Sequence, residues 1–207
     1  MRKQAITAQI RQHSSNGYKE KEMNKVGTRQ IETDRLLLRR FVIEDAEDMY
    51  SGWCNDPEVT RFLTWPVHES VEVTRYVLND WIPRYEGGDY FNWVMELKET
   101  GKIIGNISVV RVKEDIGEAL IGYCMSRSYW GNEYMPEALK AVINYLFDVA
   151  GMNRVCATHD SNNPKSGRVM QKAGMKYEGT LRQAGLNIQG ICDSVCYSVI
   201  KSDREQQ

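Results

Sequence analysis

Over the first two dozen positions no hydrophobic period holds. Residues 1 to about 28 are polar and irregular and close on "GYKEKEMNKVGT". Such a segment buries too little apolar surface to offset its ordering entropy, so a disordered extension is expected, with Met23 as an alternative start. From Ile31 the pattern turns regular. "IETDRLLLRRF" alternates loosely, as a strand does. "EDAEDMYSGWC" opens with acids where the helix dipole favours them and predicts a short helix. "ESVEVTRYVLNDWIPRYEGG" sets Val73, Tyr76, Val77 and Trp81 on one helical face, with Gly87 and Gly88 as the stop. "YFNWVMEL" and "GKIIGNISVVRV" read as strands joined by the turn "KETG", and "EALIGYCM" as another strand. Leu139, Val142, Ile143 and Leu146 then form a helical stripe closed by Gly151. "NRVCATHD" is the next strand. "NPKSGRVMQKAG" is a helix with Asn163 at the N-cap, Pro164 at the first helical position and Gly174 past its end. "GTLRQAGLN" and "ICDSVCYSVI" close the chain as two strands.

This order mixes hairpins with one helical crossover. "EALIGYCM" and "NRVCATHD" must run parallel with the long helix between them, because parallel neighbours cannot be joined by a tight turn. A ligand then belongs beyond the carboxyl ends of those two strands, beside the N-terminus of that helix. No repeat or linker interrupts residues 29–207, which read as a single domain.

Charge and composition narrow the partners. Lys plus Arg number 27 against 28 Asp plus Glu, so no bulk charge attracts nucleic acid or an anionic membrane. No run approaches the roughly 20 apolar residues of a membrane span, and the N-terminus lacks the apolar core of a signal peptide. A cytoplasmic protein is expected. Cys54, Cys124, Cys156, Cys192 and Cys196 form an odd set without a CxxC, which suits reduced thiols. His13, His68 and His159 are too scattered for metal-ligand spacing, so no metal is expected.

The candidate chemistry starts at "YWGNEYMPEA", residues 129–138, which enters the long helix where the first N–H groups have no intrahelical partner. Successive free amides and the dipole suit phosphate oxygens. In order, "ETDRLLLRRF", "IGYCM…YWGNEYMPEAL" and "NNPKSGRVMQKAGM" resemble the GNAT superfamily of acetyl-CoA-dependent N-acetyltransferases, and the branch of ribosomal-protein N-terminal acetyltransferases in particular. The resemblance covers roughly residues 31–200. It implies an α+β, three-layer fold with a mixed seven-stranded sheet, splayed between its fourth and fifth strands and flanked by four helices. It implies acetyl-CoA as co-substrate and direct transfer to a primary amine, either a protein or peptide N-terminus or a small molecule.

The resemblance also assigns residues. The pantetheine arm would pair with main-chain groups around Cys124, Met125 and Ser126, and the diphosphate would rest on the amides of Gly131, Asn132, Glu133, Tyr134 and Met135. Asn163 would bond the pantetheine amides, although Asn before Pro is also an ordinary helix cap. Ser166 would supply a proton to the departing sulfur, since Met170 stands where many family members carry a tyrosine. Glu133 occupies the place of a second family glycine and brings strain and negative charge, and Pro136 removes one donor. Both weaken the loop without abolishing it. For the base, Leu120 stands where relatives often carry glutamate; Glu118, two residues earlier on the same strand face, either acts through a water or is a solvated strand end. Phe62, Trp65 and His68 either floor the acceptor cleft or staple the early helices to the sheet. The rival to an enzyme is a catalytically weak CoA-binding or protein-interaction module. Edge strands in the last hairpin make a homodimer reasonable.

Overall fold

The structure, a computed structural model, describes residues 24–206. The N-terminal 23 residues, including the Met23 start, lie outside the described residues. Residues 24–28, counted above with the extension, are packed into the fold. The Asn24 amide donates to the Ala150 carbonyl, the Gly27 carbonyl accepts Tyr145 Oη at 2.7 Å, and the buried Thr28 hydroxyl accepts the Asn92 amide.

One mixed sheet runs through the domain in the order β1-β2-β3-β4-β5-β6-β8-β7. Its strands are β1 Ile31–Glu32, β2 Leu36–Arg39, β3 Asn92–Leu97, β4 Ile103–Lys113, β5 Glu118–Met125, β6 Arg154–Asp160, β7 Lys176–Asn187 and β8 Gly190–Ile200. The eighth strand appears because the first predicted strand is cut in two. Residues 33–35 turn back, with the Thr33 amide donating to Leu36 O, and β1 pairs with β2 as a short hairpin. A carboxylate from the far side of the sequence pins that turn: Glu137 Oε1 accepts Thr33 Oγ1 at 2.5 Å and the Arg35 amide at 3.0 Å. Every neighbouring pair is antiparallel except β5 and β6, as the crossover requires.

Helices cover both faces. On one side lie α1 Ala46–Met49, continued by a π-turn over Tyr50–Cys54, then α2 Pro57–Thr60 and α3 Val71–Arg84. They enclose a cluster of Phe41, Met49, Trp53, Leu78, Tyr85 and Val94. On the other side lie α4 Tyr134–Asp148 and α5 Pro164–Lys172, over a larger cluster that includes Trp93, Ile107, Ile121, Val155 and the whole predicted stripe of α4. The face predicted for α3 is rotated. Tyr76 is 77% exposed and Val73 40%, whereas Thr74 and Leu78 are fully buried. Thr74 lies inward on the face that Val71, Leu78, Trp81 and Ile82 pack on the cluster, and His68 Nδ1 meets its hydroxyl at 2.8 Å.

Candidate functional site

The parallel pair opens. β5 and β6 are paired from Glu118 opposite Arg154 only as far as Ile121 opposite Ala157. Both strands continue past that point, and each keeps its outer neighbour: β4 through Met125, β8 through Asp160. Residues 122–125 and 158–160 therefore form two lips with free main-chain edges. Alternation decides which groups face inward. The Ser126 amide donates to Ile104 O at 2.8 Å, so residues 122, 124 and 126 turn their main chains to β4, and Tyr123 and Met125 turn theirs into the opening. The Met125 carbonyl is occupied by Trp130 Nε1 at 2.8 Å. Of the stretch predicted around Cys124, Met125 and Ser126, Met125 alone presents its edge, and Tyr123 joins it.

The first turn of α5 lies across both lips. Tyr123 Oη, from β5, sits 2.9 Å from Ser166 Oγ and 3.1 Å from the Ser166 carbonyl. His159, from β6, presses against the next residue, Gly167, where an added Cβ would come 2.6 Å from His159 Nε2. No side chain fits there, so the glycine lets helix and strand close on one another. Burial pushes the Tyr123 phenol above its usual range, partly offset by the bond with Ser166. Asn163 caps α5 itself, its Oδ1 accepting the Ser166 amide at 3.4 Å.

The N-terminus of α4 is built differently. Gly131 and Glu133 both hold positive φ, 82° and 64°. Among the described residues, the amides of Gly131, Asn132, Glu133, Tyr134 and Met135 donate to no protein acceptor, and the first helical bond runs from the Glu137 amide to Glu133 O. Pro136 is the third helical residue, and its missing N–H falls among first-turn orphans. The Glu133 carboxylate is held by Lys172 Nζ at 2.5 Å, which ties the loop to the last turn of α5. Arg35 braces the loop from the other side. Its Nη1 donates to the Asn132 carbonyl at 2.9 Å, its Nε to Glu137 at 2.7 Å, and its guanidinium lies 4.4 Å over the Tyr134 ring. Burial raises the Glu137 carboxyl, but bonds from Thr33 and Arg35 outweigh it and hold the group below its ordinary value.

Glu118 is not brought to the opening. It heads β5 in the paired stretch, is 7% exposed, and is clamped by Arg154 at 2.8 Å and Lys113 at 2.9 Å. Burial raises its pKa, yet the bonds from Lys113 and Arg154 win and keep it ionised. It lies about 13 Å along the strand from Gly122. A carboxylate bound to two cations is a poor base, and this ion pair locks the closed end of the splay.

On the face opposite α5, Cys124 Sγ donates to Asn106 Oδ1 at 2.9 Å, and burial pushes its thiol up to about 12. Loop 61–68 edges this side. Trp65 packs partly buried on the second core cluster and against His68, ring centroids 5.4 Å apart, and Arg61 lies over the Phe62 ring. The β7–β8 turn docks onto that loop, Ile188 N to Leu63 O at 3.0 Å and Gln189 Nε2 to Arg61 O at 3.0 Å, which narrows the approach. Beside it an open polar cleft of about 400 Å³ lies between the π-turn and the end of β5, with Asp56 and Arg127 paired across it at 3.1 Å.

Besides Ser166 and the loop, which the sequence singled out, the structure gathers Tyr123, Arg35 and Lys172 here, which it did not. Tyr123 was reachable: alternation from Ile121 puts it on the α5 face, where Met170 left a hydroxyl wanting. The two cations carry no local signal.

A family model described as an acetyltransferase (GNAT) domain matches residues 35–176. YoaA, an uncharacterized N-acetyltransferase of Bacillus subtilis, is 31% identical over 171 residues, covering 83% of this chain and 96% of that protein. The ribosomal-protein-serine acetyltransferase of Escherichia coli is 31% identical over 154 residues, covering 73% and 85%. Among solved structures, a ribosomal L7/L12 α-N-protein acetyltransferase in complex with coenzyme A superposes with a TM-score of 0.74 at 20% identity, covering 83% of this chain and 98% of the other, a likeness of fold.

Proposed function

The chain belongs to the GNAT acetyltransferase family, and from that premise we propose that it transfers the acetyl group of acetyl-CoA to a primary amine. The observation that carries the reading is the run of five amides at residues 131–135 that find no acceptor among the described residues, in the loop that follows the open end of β5. Such a run suits a diphosphate, and the inward main-chain edges of Tyr123 and Met125 suit an amide-bearing arm. The fold's likeness to a coenzyme A complex supports the same cofactor.

When bound, acetyl-CoA supplies an activated thioester. The chain's part is to hold and orient it, which converts a bimolecular encounter into a positioned one. Ser166, in the first turn of α5, donates toward the sulfur. Cys124 bonds Asn106 on the face opposite α5, and burial pushes its thiol up to about 12, which favours direct transfer over an acyl-cysteine. Phe62, Trp65 and the docked β7–β8 turn border a narrow approach for the acceptor. The relative that acts on a ribosomal protein favours a polypeptide α-amine over a small molecule. The free cysteines accord with a cytoplasmic location, and the balanced charge with no nucleic-acid partner. A homodimer through the last hairpin accords with the exposed Leu181, Leu186 and Ile191.

Thiol release from acetyl-CoA, measured with peptides carrying free or blocked N-termini, tests the proposal. Turnover with free α-amines alone is expected. Coenzyme A binding without turnover on any amine would make the chain a binding module instead.

A further inference from the structure

The contact between Tyr123 and Ser166 has a property that packing alone does not require. A phenol carries one proton, yet two acceptors compete for it, the Ser166 carbonyl at 3.1 Å and Ser166 Oγ at 2.9 Å. If the phenol donates to the carbonyl, Ser166 spends its own proton on the phenol oxygen. If the phenol donates to Oγ, the serine proton is free to point elsewhere. The two arrangements differ by rotation of two hydroxyl hydrogens, and no heavy atom moves. Both side chains are half-buried and stand on the lip of the splay, where the acetyl-CoA reading puts the sulfur of the bound thioester.

We propose that Tyr123 is a positioning residue for Ser166: its hydroxyl turns the serine proton toward the sulfur and strengthens it as a donor. The inference rests on the acetyl-CoA reading above. A hydroxyl that accepts a hydrogen bond donates a stronger one, so the pair acts as a short polarised chain. As the carbon–sulfur bond breaks, its electron pair moves onto sulfur, where Ser166 donates to it. The proton that finally rests there replaces the one lost by the amine nitrogen, so both hydroxyls end the cycle unchanged. Met170 on the same helix offers no alternative donor.

The test needs no acceptor. Coenzyme A bound to the protein is titrated with pH by the ultraviolet absorbance of its thiolate, with affinity for each variant measured by calorimetry. A hydrogen bond to a charged group contributes about 1.5–3 kcal/mol, or roughly one to two pKa units on the bound thiol. Ser166→Ala should raise that pKa by about this much and Tyr123→Phe by about half as much, with affinity changed less than about twofold. The double variant should match Ser166→Ala alone, because the tyrosine acts only through the serine. A monofluorinated tyrosine at 123, a stronger donor in the same shape, should lower the pKa and so separates donation from any loss of packing. Tyr123→Phe titrating like the parent protein, or adding its full shift on top of Ser166→Ala, overturns the inference. No coenzyme A binding by the parent protein overturns the acetyl-CoA reading itself and this inference with it.

Discussion

Two helices begin at the mouth of the splayed sheet, and their first turns are finished in opposite ways. α5 satisfies itself: Asn163 caps it, Pro164 removes a donor in advance, and what it offers the opening is the side chain of Ser166. α4 leaves its first amides without partners among the described residues and spends its side chains outward, Glu133 on Lys172 and Glu137 on Thr33 and Arg35. A self-capped helix end is a scaffold for side-chain chemistry. An uncapped end held by long-range ion pairs is a place for an anion, because its donors are already aimed and need no rearrangement on binding.

If that contrast is real, substitutions at the two ends must separate affinity from stability. The largest effect is expected from Gly131→Val. At φ 82°, with no atom near the position of a Cβ, the valine meets only backbone strain of about 1–2 kcal/mol. The loop should relax out of its binding shape, and calorimetry should show coenzyme A affinity falling at least about tenfold with the fold intact. Arg35→Ala should follow. It frees the Asn132 carbonyl and loosens Glu137, which predicts about a fivefold loss of affinity and about 1 kcal/mol of stability in denaturant unfolding. Asn163→Ala reverses the weighting: about 1 kcal/mol of stability lost with its cap, and affinity changed less than about twofold. A drop in affinity as large as that of Gly131→Val would mean that both helix ends hold the ligand and would erase the distinction.

The smallest effect, and of opposite sign, is expected from Glu133→Gly. It removes a non-glycine residue from the left-handed region and a carboxylate from the neighbourhood of a phosphate, at the loss of an exposed ion pair that contributes little. A gain of up to about 1 kcal/mol in stability, with slightly tighter coenzyme A binding, is the expected outcome.

The sequence carried much of this contrast, unevenly. The stripe of α4, the Asn-Pro start of α5 and the parallel crossover follow from periodicity and cap chemistry, which are local. The splay between the two parallel strands was expected from family resemblance, and β5 and β6 part after Ile121 and Ala157. What escaped depends on partners distant in the chain. β1 and β2 separate because Glu137, about a hundred residues on, fixes the turn between them. The buried face of α3 follows Val71, Leu78, Trp81 and Ile82, which meet a cluster drawn from Phe41, Trp53 and Val94 far off in the chain, with Thr74 among them. Glu118 looked like a free acid at a strand end because nothing nearby in sequence announces Arg154. Tyr123 reads as one more strand aromatic until α5 is laid across it.

The central claim is that the uncapped start of α4 receives a diphosphate. It is tested most directly by following the backbone amide resonances of the isotope-labelled protein as coenzyme A is added. The account predicts that the amides of residues 131–135 move most, those of Tyr123 and Met125 next, and that of Ser166, already held by its cap, far less. Saturating coenzyme A that leaves residues 131–135 unmoved would contradict it.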